Sequence, residues 1–93
     1  MELSALPPEA LRLAQGAAVA ADVFEPALAA VAAEMDLDAA LTALDLLTAH
    51  DVVRPATGGR FRFRHPLVRH VAYASAAAGW QVAAHSRVAA RLA

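Results

Sequence analysis

Cysteine and lysine are both absent from this 93-residue sequence. Without cysteine, the chain can form neither a disulfide nor a cysteine-ligated metal site, which suits a reducing cytosol. Without lysine, and without a GxxxxGK[ST] segment, it cannot build the phosphate-binding loop of an NTPase. We therefore expect a chain that is not an enzyme and that binds no cofactor by itself.

Long apolar runs are absent as well. No stretch approaches the roughly 20 apolar residues needed to cross a bilayer, because Asp, Glu, Gln or Gly interrupts every alanine-rich segment. The N-terminus carries Glu2 and no basic residue before the first apolar segment, unlike a signal peptide. These features predict a cytoplasmic protein with no membrane partner.

Positive charge is almost missing from the first half of the chain. All nine acidic residues lie at or before Asp51, and of the eight arginines only Arg12 precedes it. The first 51 residues therefore carry −8 and the last 42 carry +7, which agrees with the net charge of −1. This division favours two solvated faces, or contact with a neighbouring domain, over a nucleic-acid site.

Proline and helical periodicity predict two helices in the acidic half. Pro7, Pro8 and Glu9 suit a first helical turn, and the helix should run to about Ala20. A second helix should begin at Pro26 and end near Met35. The residues expected to be buried by the first helix are Leu11, Ala14 and Ala18.

A third helix has the clearest amphipathic pattern. Asp36 or Asp38 is expected to cap its N-terminus. Its apolar stripe, with Leu47 beside it, is predicted to consist of Leu37, Leu41, Leu44 and Thr48. The opposite face would present Asp38, Thr42, Asp45 and Ala49.

The segment after Asp51 predicts a β-hairpin that leads directly into a fourth helix. Val52 and Val53 form one strand, residues 57–59 (TGG) form the turn, and residues 61–64 (FRFR) alternate apolar and basic side chains. Pro66 suits a first helical residue because its missing N–H is not needed there. Two isolated strands are marginal in water, so the phenylalanine face should pack on the helices.

The fourth helix is predicted to run from Pro66 to about Ala78, where Gly79 ends it. A fifth helix should start near Trp80, with Trp80, Ala84, Val88 and Leu92 on one stripe, and should continue in a longer protein. The predicted fold is mainly α with a small β-hairpin. It is a winged helix-turn-helix of three helices and a two-stranded wing, followed by two further helices. Residues 1–79 form the predicted winged-helix domain, and residues 80–93 begin a following helix.

Residues 61–69 (FRFRHPLVR), with Tyr73 four residues further on, resemble the winged-helix segment of bacterial signal-transduction ATPases. The chain is most similar to the large LuxR-type transcriptional regulators that resemble the maltose-regulon activator. The family often has an acidic residue and a bulky aliphatic residue where His70 and Ala72 stand here. Further matching segments are Leu6–Leu11, Phe24 before the second helix, the leucines at 41, 44 and 47, and His85 with Val88 and Ala89.

The resemblance implies a nucleotide-dependent switch. In such proteins a histidine at the wing-to-helix junction senses the nucleotide of the neighbouring ATPase domain. That position is His65, followed by Arg69 and preceded by Arg64. The resemblance therefore implies ATP or ADP in the full-length protein, with the ATPase and helical-repeat domains of the same chain as partners. A histidine can donate to phosphate oxygens, and N–H groups at the helix start would add positive potential. Alternatively, His65 caps the helix.

The four histidines of the sequence do not predict a metal site. His50, His65, His70 and His85 lack metal-ligand spacing, and His65 and His70, five residues apart, do not share a helix face.

Two other functions remain open. A DNA-binding winged helix would use the basic wing, whose candidate contacts are Arg54, Arg60, Arg62 and Arg64. Nucleic acid is nevertheless disfavoured as a partner, because the third helix offers Asp38 and Asp45 where arginine would read the major groove. The other alternative is an oligomerisation module in which the acidic half of one copy binds the basic half of another.

Overall fold

The computed structural model describes Leu3 and residues 5–93, so Glu2 lies outside the described part. Within these residues the chain forms five α-helices and a three-stranded antiparallel sheet. The elements in chain order are α1 (Pro8–Ala20), β1 (Val23–Phe24), α2 (Pro26–Ala33), α3 (Leu37–Ala49), β2 (Val53–Pro55), β3 (Phe61–Phe63), α4 (Pro66–Ala74) and α5 (Ala78–Leu92).

The sheet has three strands, where the sequence predicted a two-stranded ribbon. The predicted hairpin is present, with Val53 opposite Phe63, and Gly58 and Gly59 take left-handed conformations in its turn. The additional strand β1 pairs with the free edge of β3, which gives the strand order β1-β3-β2. Only two residues long, β1 carries no readable alternation, and the prediction missed it.

Two predicted helix ends differ from the structure. The helix α2 ends at Ala33 rather than Met35, because Glu34 turns the chain in a left-handed conformation with φ of 55°. The helix α4 ends at Ala74, where Ser75 Oγ donates a hydrogen bond to the Ala72 carbonyl at 2.7 Å. The prediction that Gly79 ends α4 is wrong, since Gly79 lies in the first turn of α5.

The predicted apolar stripe of α3 is only partly correct. Asp36 caps the helix as expected, its Oδ1 accepting a hydrogen bond from the Ala39 N–H at 2.8 Å. Leu37 and Leu41, however, are 49% and 41% exposed. The buried residues of this helix are Ala40, Ala43, Leu44 and Leu47. Alanine can be buried where backbones approach closely. The buried face of α3 is therefore centred on its alanines and differs from the predicted leucine stripe.

The helices α1 and α2 cross at Gly16. A Cβ atom at this position would lie 2.7 Å from the Ala29 carbonyl oxygen and 2.8 Å from the Ala33 Cβ, closer than van der Waals contact allows. Glycine and alanine therefore set the distance between these helices.

Two clusters of buried residues form the core. The larger joins α1, α2 and α3 to the sheet and α4, and there the Phe24 and Phe63 rings pack with centroids 5.7 Å apart. The smaller fixes α5 to α1 and α2 through Val19, Ala32, Ala84 and Val88. None of the helices in the described part of the chain combines the length and the apolar composition that a membrane span requires.

Candidate functional site

The junction between β3 and α4 places His65 at the start of a helix. Its Nδ1 accepts a hydrogen bond from the Leu67 N–H at 3.0 Å, so the side chain caps α4. The N–H groups of Val68 and Arg69 donate to the His65 carbonyl, and Pro66 has no N–H. These N–H groups at the helix start are therefore already bonded, contrary to the expectation that they would face a phosphate.

Capping also determines what the His65 ring can offer to a ligand. A neutral imidazole whose Nδ1 accepts a hydrogen bond carries its proton on Nε2. The residue is exposed, so the Nε2–H is free to donate to an incoming oxygen. Capping and ligand contact are thus compatible, because they use different ring nitrogens.

A groove of about 450 Å³ lies beside this junction. We call it the junction groove, and its lining residues are Arg54, Arg64, His65, Leu67, Val68 and Val71. Leu67 is 62% exposed although it is a large apolar residue. The groove therefore combines apolar side chains from α4 with cationic and N–H donor groups from the sheet side.

Asp51 organises the arginines at this groove. Its carboxylate accepts two hydrogen bonds from Arg54, from Nε at 2.9 Å and from Nη2 at 3.1 Å. Arg64 Nε lies 4.0 Å from the same carboxylate, is enclosed, and has no hydrogen-bond partner among the described residues. The hydrogen bonds from Arg54 lower the pKa of Asp51, and Asp51 in turn raises the pKa of Arg54. With one carboxylate shared by two arginines, the groove keeps an excess of positive charge.

Arg69 is turned away from the junction groove. Its Nε donates to the Ala18 carbonyl at 2.9 Å, and its Nη1 donates to Asp22 at 2.8 Å. Ala18 lies in the last turn of α1, where carbonyls lack partners within the helix. The structure thus brings Arg64 and His65 together and places Arg69 at the end of another helix.

Arg69 lines a separate cavity of about 430 Å³, which is bounded by α4, α5 and the C-terminal end of α1. Here Tyr73 Oη lies 3.0 Å from His85 Nε2. His70 also lines this cavity. No pattern of neighbouring residues indicates that these side chains meet, because the geometry of α4 and α5 depends on the break at Ser75.

The hairpin and the outer side of α3 present surfaces of opposite charge. Arg60 and Arg62 are exposed and make no ion pair with any described residue. On α3 the exposed side chains include two leucines and two aspartates. We call this surface the α3 outer face, and its residues are Leu37, Asp38, Leu41, Thr42 and Asp45. The α3 outer face carries no cation. In a winged helix that reads DNA, the third helix would enter the major groove of the DNA.

All ion pairs among the described residues connect the acidic half of the chain to an arginine after Asp51. Besides the Asp51 and Asp22 pairs, Arg87 lies 3.5 Å from Glu34 and donates twice to the Ala32 carbonyl, at 2.7 and 3.2 Å. Part of the charge division thus serves to join the two halves, whereas Asp38 and Asp45 on the α3 outer face, and Arg60 and Arg62 on the hairpin, have no ion-pair partner among the described residues.

Comparison of the chain with known protein families, with curated proteins and with solved structures gave no match. In the described part of the chain, no three His, Asp or Glu side chains converge as metal ligands would. Any functional assignment therefore rests on the residues themselves.

Proposed function

We propose that this chain is the winged-helix domain of a multidomain, ATP-dependent bacterial transcription regulator, and that it acts as a non-catalytic relay between domains. The observation that carries the proposal is the β3–α4 junction, where His65 caps a helix with Nδ1 and lines the junction groove together with Arg64. The assignment to LuxR-type regulators comes from the resemblance of residues 61–69, which span this junction.

The order of elements supports the winged-helix interpretation. Three helices, a short strand after the first of them and a final hairpin give the sheet order β1-β3-β2. In this arrangement β2, the hairpin turn and β3 form the wing, and α3 occupies the position of the recognition helix.

In the proposed mechanism, His65 Nε2–H and Arg64 contact the phosphates of the nucleotide that the neighbouring ATPase domain binds. A charge-assisted hydrogen bond of this kind is lost or gained as the nucleotide changes. Arg69 has a different task, since it anchors α4 to the end of α1 and to Asp22.

The signal would then pass from α4 to α5. The two helices are connected by the Tyr73–His85 contact, and Gln81 Nε2 donates to the carbonyls of Tyr73 and Ala76 at 2.8 and 3.3 Å. A shift of α4 would therefore move α5, which we propose leads into the helical repeats that sense the inducer.

Substitution of His65 can separate capping from nucleotide sensing. Asparagine is a good N-cap, whereas alanine is a poor one. In the protein that joins this chain to its ATPase domain, His65→Asn should leave the thermal midpoint nearly unchanged and alter the rate of ADP release at least several-fold. His65→Ala should change both. ADP release identical to wild type in His65→Asn would overturn the sensing role.

DNA binding through the wing is the second candidate, because Arg60 and Arg62 are exposed and lack an ion-pair partner among the described residues. The anionic α3 outer face opposes it, since carboxylates repel phosphates. We expect the 93-residue chain to show no duplex binding tighter than about 100 µM, the weak end of non-specific affinity at physiological salt. A salt-dependent mobility shift at micromolar concentration, abolished by Arg60→Gln with Arg62→Gln, would favour the DNA function instead.

A further inference from the structure

We infer that the α3 outer face of one copy of this chain binds the junction groove of a second copy. The two surfaces have complementary chemistry. The outer face has two leucines one helical turn apart with aspartates beside them, and the groove has apolar side chains from α4 with arginines at its rim.

The apolar part of the contact is helix-in-groove recognition. Leu37 and Leu41 lie four residues apart on α3, so they project from the same side of the helix. They are 49% and 41% exposed, and Leu67 on the opposing surface is 62% exposed. Large apolar side chains on both surfaces would leave water together when the leucines enter the groove.

The charges favour the same partner. Asp38 and Asp45 make no ion pair with any described residue. On the groove, Arg64 and Arg54 share the single carboxylate of Asp51, and Arg64 Nε has no hydrogen bond among the described residues. Since Arg64 Nε is enclosed, an aspartate from a second copy would act on the groove through its charge, neutralising the excess positive charge of the two arginines at the rim.

The occupant is a second copy because this chain itself carries the acidic, leucine-bearing helix that fits the groove. A contact between two different surfaces is head-to-tail. In a dimer, one copy therefore keeps a free α3 outer face and the other a free junction groove, unless further copies join to close a ring. The inference does not depend on the proposed nucleotide role, and it concerns the 93-residue chain without nucleotide.

Two single-surface variants provide the test. Leu67→Asp blocks the groove and leaves the outer face intact, whereas Leu41→Arg blocks the outer face and leaves the groove intact. Each variant alone should be monomeric in sedimentation velocity at low salt, where wild type self-associates, because losing one leucine contact weakens binding about tenfold or more. An equimolar mixture of the two should recover a heterodimer, since each supplies the surface that the other lacks.

Val82→Asp is the matched control. Val82 is 70% exposed on α5, outside both surfaces, so this variant should associate as wild type does. Thermal melts of all variants should match wild type, because every substituted side chain is on the surface. Raising the salt from 50 to 500 mM should weaken association of wild type by screening the aspartate–arginine pairs.

The inference is overturned if wild type stays monomeric at low salt up to the highest soluble concentration. A mixture of Leu67→Asp and Leu41→Arg that remains monomeric, with wild type associating, would also overturn it by showing that another surface is used. Loss of association in Val82→Asp has the same consequence.

Discussion

The contact between α1 and α2 and the contact between the sheet and the helices are built in opposite ways. The contact between α1 and α2 requires small residues, because Gly16 lies against Ala29 and Ala33 with no room for a Cβ. The second depends on large side chains, because Phe24 and Phe63 fill the space between sheet and helices. Enlarging a residue should harm the first region, and truncating a residue should harm the second.

Truncation of Phe63 should have the largest effect. The side chain is buried against Phe24, so Phe63→Ala leaves a cavity, and we expect a loss of about 3–5 kcal/mol in the free energy of unfolding. Urea unfolding followed by circular dichroism measures this loss. Phe61→Ala serves as the comparison and should cost less, because Phe61 is only half-buried. Equal losses for the two variants would contradict the packing described for the sheet.

Enlargement of Gly16 should have the next largest effect. Gly16→Ala places a methyl group 2.7 Å from a backbone oxygen, and such overpacking costs about 1–3 kcal/mol. Gly79→Ala is the control, because nothing lies within 4 Å of its added Cβ and the position is helical. This variant should stabilise the chain by about 0.4–1 kcal/mol. Thermal melts that shift in the same direction for both variants would refute the claim of close helix approach.

The smallest effect concerns Asp51 and its arginines. The pKa of Asp51 is lowered by Arg54, so its stabilising contribution is present above the ordinary aspartate range and is lost as the pH falls through the folded-state pKa. Asp51→Asn should lower the thermal midpoint slightly at pH 7 and not at pH 2. Asparagine tolerates the left-handed backbone conformation of residue 51, so backbone strain does not explain a lower thermal midpoint in this variant. A difference that persists undiminished at pH 2 would show that charge is not responsible.

Local signals in the sequence predicted the hairpin, the starts of α1, α2 and α4, and the aspartate cap of α3. These features depend on proline, glycine, aspartate and period-two alternation, each of which acts over a few residues. The buried face of α3 could not be predicted in the same way. Burial there follows from close backbone approach to alanine, and hydropathy periodicity gives more weight to the leucines that the structure leaves exposed.

The candidate site was predicted in part. His65 and Arg64 were identified from the junction sequence, and the structure places both beside the groove. The orientation of Arg69 and the participation of Leu67 and Val71 depend on where α1 ends and how α4 lies on the sheet. Those are tertiary facts that no pattern of neighbouring residues contains.

The ion pairs that connect the two halves have a consequence for a cut chain. The hairpin turn at Gly58 and Gly59 is exposed, and nothing surrounds either glycine within 4 Å of where a Cβ would lie. A break there yields an anionic fragment with α1 to α3 and a cationic fragment with α4 and α5. The cationic fragment contains Arg69 and Arg87, which donate hydrogen bonds to carbonyls in the last turns of α1 and α2. The opposite charges of the two fragments and these arginine–carbonyl hydrogen bonds would favour their association. This turn is therefore a suitable place to split the protein into two fragments that reassemble.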